Sequence, residues 1–219
     1  MKTVQKRLKF EDVRQHGGRR KGAGRKRQGP KQVPHRRRPQ VDGNKPVHLT
    51  WKVLEDIPNL RQRKLLPLIE RCFEEARLKD GFRIVHWSMM SNHFHVIVEA
   101  ACRASMTRGV KGLKVRLARA INRFLDRKGR VFLGRCFEEV LTCARQVRRC
   151  VRYVLENAKH HASHWFVPRG ELDPFSSACW FEGWRISAFA LRRRQRNRRP
   201  TVSPPVTSLL RRTGPLCLT

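Results

Sequence analysis

Between residues 45 and 165 the hydrophobic positions fall into seven periodic segments, and their periods predict the fold. Val47, Leu49, Trp51 and Val53 alternate with His48, Thr50 and Lys52, the pattern of a half-buried strand. Leu65, Leu68, Ile69, Cys72, Phe73 and Ala76 recur at helical spacing, with Asn59 or the turn before Pro67 to supply the start of the helix. FRIVHWSMMS and NHFHVIVEA are β-rich runs that abut at Ser91–Asn92, so they predict two antiparallel strands of a hairpin. From Arg108 to Arg127, Leu113, Leu117, Ile121 and Phe124 mark an apolar stripe, while Arg116, Arg119, Arg123 and Arg127 fall on another face. GRVFLGRCFEEVLT predicts a fourth, bent strand with Gly134 at a bulge, and RQVRRCVRYVLENAKHH a third helix. The order β-α-β-β-α-β-α predicts an α+β fold. It is the ferredoxin-like split βαβ arrangement, a four-stranded antiparallel sheet with two helices on one face, plus an added C-terminal helix carrying Tyr153.

The flanks lack this periodicity. Residues 1–44 combine Gly, Pro and like charges and predict a basic disordered arm; residues 166–190 predict an extension docked by Trp180, Phe181 and Trp184; residues 191–219 predict a basic disordered tail. Charge then adds the partner. Fifty Lys and Arg against 17 Asp and Glu leave +33, far more than solubility requires, which is the footprint of a polyanion binder. The arm holds +13 in its first 40 residues, and residues 191–219 hold +8, so the middle of the chain is basic as well. In the arm, Arg19, Arg20, Lys21, Arg25, Lys26 and Arg27 are candidate phosphate contacts; the arginine stripe of the second helix is either a nucleic-acid track or a solvated face. Seven cysteines without a Cys-x-x-Cys pair suit reduced thiols rather than a disulfide framework or a structural zinc. No apolar run approaches a bilayer span and no signal peptide is legible, so the expected location is cytoplasmic, at the nucleoid, without a membrane partner.

Two short motifs carry the chemistry. In SNHFHVIVEA a period of two puts His93, His95, Ile97 and Glu99 on one sheet face, and the two imidazoles stand roughly 6 to 7 Å apart at Cα. They could chelate one cation or be plain polar residues of that face. Tyr153, the only tyrosine in the chain, lies about 40° from Asn157 around the helix and about 130° from the apolar stripe of Val147, Cys150, Val151, Val154, Leu155 and Ala158. It is therefore placed as a surface group, a nucleophile or a base-stacking platform, rather than a core tyrosine. His160, His161 and His164 end the helix in a basic segment and read as carbonyl caps or phosphate contacts rather than a metal tract.

With these residues the chain resembles the HUH single-tyrosine transposases of the insertion-sequence 200 type, and most closely the REP-associated tyrosine transposases. His93-Phe94-His95 is similar to the family's His-hydrophobic-His motif, and Tyr153 with Asn157 to its Tyr-x-x-x-Asn helix. The basic arm and the SSACWFEGW extension are similar to those of one bacterial branch. Ser91 and Ala158 replace prolines common in relatives, but neither change removes a reacting group. The resemblance implies a catalytic domain over residues 45–165 and a DNA transposase that cleaves and rejoins single-stranded DNA. Tyr153 would be the nucleophile, with a 5′-phosphotyrosine as product. It also implies Mg²⁺ or Mn²⁺ held by His93, His95 and, as third ligand, Asn157, with Glu99 a secondary candidate. Partners would be single-stranded hairpin or palindromic ends, with the chain acting as a monomer or a homodimer. The competing readings are a non-catalytic basic nucleic-acid-binding protein and a relaxase- or initiator-like nicking enzyme, the latter usually a larger chain.

Overall fold

The computed structural model describes residues 38–160, 167, 171–185 and 199–217, with residues 159 and 160 by backbone alone. They belong to one of the two units into which the chain divides, residues 32–219; the other, residues 1–31, lies outside them. In chain order the elements are β1 (Val47–Val53), α1 (Leu66–Ala76), β2 (Leu78–Lys79), β3 (Phe82–Met89), β4 (His93–Ala100), α2 (Arg103–Phe124), β5 (Phe132–Val140) and α3 (Ala144–His160). A 3-10 turn over Ser177–Trp180 and a short helix α4 (Ser208–Arg211) follow.

The strands form a mixed α/β fold, an antiparallel sheet in the order β2-β3-β4-β1-β5 flanked by helices. Setting aside the two-residue β2, which is too short to leave a periodic trace, the order interleaves the two β-α-β units so that each pairs with the other's strands. Two bulges shape the sheet. In β3 the register passes from Ile84↔Val98 to His86↔Ile97, so Val85 and His86 both oppose Ile97 and turn to the same face. In β5 the partners of Thr50 and Lys52 are Phe137 and Leu133, and Gly134 takes φ +61°, the left-handed conformation that glycine adopts without strain. This is the bend expected at that glycine.

Leu49, Trp51, Phe94 and Val96 point to one face and pack with Ile69 and Phe73 of α1 and Leu113, Leu117 and Ile121 of α2. Phe73 stacks on Trp87 with centroids 4.5 Å apart and planes 7° from parallel. Each such fully buried side chain contributes roughly 1.5–3 kcal/mol. The opposite face is covered too. Val85 and Ile97 pack there against Val147, Val151, Val154 and Leu155 of α3, joined by Leu172, Ala178, Trp184, Leu210 and Leu216. Phe181 meets the edge of Trp184 at 5.2 Å, so the aromatic extension docks on this second layer.

Residues 191–198, 218 and 219 of the expected disordered tail lie outside the described residues, whereas residues 199–217 are ordered. Residues 199–217 lie against the body: Trp87 Nε1 donates to Thr201 Oγ1 at 3.0 Å, Ser203 N to the Ile84 carbonyl at 2.8 Å, and Leu216 N to the Gly183 carbonyl at 2.7 Å. Pro and Arg content predicts disorder here, but the segment is held by backbone groups and by a few small side chains, which leave no periodic pattern in the sequence. The arm boundary shifts as well, since Val41 is buried and Arg38 pairs with Glu138.

Candidate active site

The face beneath α3 gathers most of the polar residues read from the sequence. Antiparallel pairing of Thr50 with His95 and of His48 with Ile97 sets β1 and β4 side by side, so His48, Thr50, His93 and His95 share that face. His93 Nε2 and His95 Nε2 lie 3.0 Å apart, with the rings nearly perpendicular at 84°. Asn92 Oδ1, which can only accept, is 2.7 Å from His93 Nδ1, so that nitrogen carries the hydrogen and Nε2 presents a lone pair toward His95. His95 is 5% exposed; its Nδ1 is 3.1 Å from both His48 Nε2 and Thr50 Oγ1.

Tyr153 reaches this group from α3. Its ring meets His95 edge-on with centroids 5.1 Å apart, and His48 at 6.4 Å. The side chain is half-buried, as its helical phase off the apolar stripe predicts. Burial raises the phenol above its ordinary pKa, the neighbouring Asn157 amide pulls the other way, and Cys150 adds to the rise. Cys150 is itself pushed up to about 12 by burial and by Glu139, so it is a neutral thiol at physiological pH. Asn157 is fully buried, and neither its Oδ1 nor its Nδ2 makes a hydrogen bond of normal geometry. With only the Tyr153 phenol beside it, this buried amide has hydrogen-bonding capacity to spare, which costs on the order of 1–3 kcal/mol when unfilled.

The site suits a divalent ion in one respect. Two nitrogens bound to one ion at about 2.1 Å, with a right angle between the bonds, are about 3.0 Å apart, the separation of the two Nε2 atoms. Among the described residues no group of three His, Cys, Asp or Glu side chains is arranged to hold an ion, so further ligands must be of another kind, such as an amide oxygen, water or a phosphate.

Glu99 is not part of this arrangement. It lies four residues beyond His95, about 13 Å along the strand, and its buried carboxylate accepts from Val206 N at 2.9 Å, Thr207 N at 2.8 Å and Thr207 Oγ1 at 2.8 Å. It anchors the start of α4. The arginine stripe of α2 lies on the other side of the sheet from Tyr153. Arg119 and Arg123 are exposed, whereas Arg116 pairs with Glu75 at 3.6 Å and Arg127 with Asp56 at 2.8 Å. Arg19, Arg20, Lys21, Arg25, Lys26 and Arg27 lie outside the described residues, as do His161 and His164.

Two features escaped the sequence reading. One is His48, third imidazole of the site, whose polar position in VHLTWKV was visible but whose neighbour depended on strand register. The other is a groove of about 530 Å³ between α2 and β5, rimmed by Arg38, Arg103, Lys111, Lys114, Arg130 and Arg135. Lys114 stands 4.9 Å over the Phe132 ring, and burial, then Arg130 and Arg38, lower its pKa.

His86, also facing α3, has its pKa pushed down to about 3 by burial. The unfolded chain takes up that proton near pH 6.5, so between these values the unfolded state binds more protons and stability falls as pH falls. Urea unfolding between pH 7 and 4.5 should therefore show a loss approaching about 1.4 kcal/mol per pH unit below pH 6 from this residue. His86→Leu should flatten the slope by that amount; an unchanged slope would show that His86 is protonated in the folded protein.

The sequence profile of the family described as "Transposase IS200 like" matches residues 45–157. No curated protein matches the chain. Among solved structures, one described as the REP-associated tyrosine transposase bound to a REP hairpin is similar at 18% identity and a TM-score of 0.48, over 66% of this chain and 82% of that one. A candidate transposase of Deinococcus radiodurans R1 is similar at 17% identity and a TM-score of 0.35, over 60% of this chain and 96% of that one.

Proposed function

The chain belongs to the IS200-like transposase family, and on that premise we propose that it cleaves and rejoins single-stranded DNA at hairpin or palindromic ends, with Tyr153 as nucleophile. At the level of the family the activity is that of a single-tyrosine HUH nuclease and transposase acting on single-stranded DNA. What carries the assignment of residues is the juxtaposition of the only tyrosine, edge-on to His95 at 5.1 Å, with the convergent Nε2 atoms of His93 and His95. The strand order supports reading the sheet as ferredoxin-like.

Tyr153 Oη forms a bond to phosphorus while the bond to the 3′ oxygen breaks, giving a 5′-phosphotyrosine and a free 3′-OH. Burial keeps the phenol protonated near neutral pH, so its proton leaves as attack proceeds, to water or to DNA. A 3′-OH from another end then displaces the tyrosine and restores the phenol. His93 and His95 would hold Mg²⁺ or Mn²⁺, with the buried Asn157 amide as third ligand, and the ion would supply Lewis-acid polarisation of the phosphate. The cation-rimmed groove beside β5 and the basic arm would contact phosphates with little sequence preference and strong salt dependence. Among the described residues no helix is long and apolar enough to cross a membrane, and the net charge of +33 supports a location at nucleoid DNA.

The test is to incubate the full chain with end-labelled single-stranded hairpin DNA and Mn²⁺ and resolve the products on a denaturing gel. A covalent protein–DNA band that disappears with EDTA is expected. DNA binding that is insensitive to chelator, without any covalent band, would instead identify a non-catalytic nucleic-acid binder.

A further inference from the structure

A histidine that binds an ion through Nε2 must carry its hydrogen on Nδ1, and something must hold it there. For His93 that group is Asn92 Oδ1. At His95, Nδ1 faces His48 Nε2 and Thr50 Oγ1, each 3.1 Å away, and either could accept a hydrogen or donate one. The choice is made one residue further out. His48 Nδ1 is 3.8 Å from Glu139 Oε2, and the other carboxylate oxygen accepts from Gln146 Nε2 at 2.9 Å. Gln146 is fixed in turn, because its Oε1 accepts from Thr142 N at 2.8 Å. A carboxylate can only accept, so it favours the His48 tautomer with hydrogen on Nδ1, which leaves Nε2 as an acceptor.

We infer that His48, oriented by Glu139, is a positioning residue that accepts the Nδ1 hydrogen of His95 once an ion replaces the hydrogen between the two Nε2 atoms, and so holds the His95 tautomer that binds the ion together with His93. His48 is not itself a ligand of the shared ion, since its Nε2 lies on the Nδ1 side of His95, away from His93. The chain of partners crosses three strands and a helix: Gln146 on α3, Glu139 on β5, His48 on β1 and His95 on β4. Every link is made within the sheet's α3 face. The inference rests on the proposed ion-binding reading of His93 and His95.

The experiment has two readouts on the full chain. Without an ion the two Nε2 atoms 3.0 Å apart share a hydrogen, so ¹H–¹⁵N spectra of the Mg²⁺-loaded protein report the exchange of the His95 Nδ1 hydrogen, and calorimetric titration with Mn²⁺ reports ion affinity. Wild type should show a His95 Nδ1–H held in a hydrogen bond and slow to exchange. His48→Leu should lose that protection and weaken Mn²⁺ binding about 10- to 100-fold, while His48→Gln, which restores an acceptor, should stay within about threefold of wild type. Glu139→Ala, at a half-exposed position outside the core, should shift both readouts in the same direction as His48→Leu. A freely exchanging His95 Nδ1–H in wild type, or equal exchange and affinity in wild type and His48→Leu, overturns the inference. Failure of wild type to bind Mn²⁺ would instead refute the ion-binding reading itself.

Discussion

Tyr153→Phe is expected to abolish the covalent protein–DNA adduct and to lower strand cleavage by at least about 10⁴-fold, while DNA affinity changes by no more than about twofold. The ring is only half-buried and off the apolar stripe, so removing one oxygen leaves the packing of Val151, Val154 and Leu155 as it was. No other tyrosine can take over, because the chain has one. The neighbouring thiol of Cys150 is held neutral and faces the apolar layer, which makes it a poor substitute. Single-turnover cleavage on a denaturing gel, paired with fluorescence anisotropy for binding, measures both halves of the expectation. Residual adduct in the phenylalanine variant would assign the nucleophile to another residue.

The largest effect on stability should come from Asp173→Ala, which removes one side of a buried ion pair and is expected to cost about 3–5 kcal/mol. Arg61 donates from Nη1 to Asp173 Oδ2 at 2.9 Å and from Nη2 to Asp173 Oδ1 at 2.8 Å, and Nη1 also reaches the Met89 carbonyl at 2.9 Å. Both side chains are almost wholly enclosed, 2% and 1% exposed, and Phe175 lies under the guanidinium at 4.5 Å. Losing the carboxylate strands a charge away from water and deprives Phe175 N of its acceptor. The melting temperature should fall on the order of 10 °C. Arg61→Lys should not recover it, since a lysine cannot make the two-pronged contact. The double replacement Arg61→Met, Asp173→Leu should cost much less than either single change, because no charge is left unpaired. Urea unfolding of the four proteins decides this; equal losses in the single and double variants would mean the pair contributes through shape alone.

The parts of the fold legible in the sequence are those whose burial is one-sided or rigorously periodic. β1 reads correctly to the residue because Val47, Leu49, Trp51 and Val53 face α1 and α2 while its polar residues line the site. β4 is buried on both faces from Phe94 onward, yet its histidine pair still marks the site face, since strand geometry alone fixes which residues share a side. The start of α2 was read five residues late: Cys102 caps it and Ser105 closes a reciprocal pair, but neither belongs to the apolar stripe. His48 and Glu139 could not be assigned from sequence because their proximity to His95 depends on register across three strands. Glu99 was misplaced for the opposite reason: its face was right, but a partner more than a hundred residues away claims its carboxylate.

That distant claim has a kinetic consequence. Distant segments close both faces of the sheet: on the α1 and α2 side Trp87 bonds Thr201 across 114 residues, on the α3 side Glu99 bonds Thr207 across 108, and Arg61 bonds Asp173 across 112. Closing such long loops is slow relative to forming local contacts. During synthesis, when Tyr153 has already left the ribosome, the groups that hold the 3-10 turn and α4 over its side of the sheet still lack their partners. The reactive face of the sheet is therefore expected to mature only after residues 173–207 have been made.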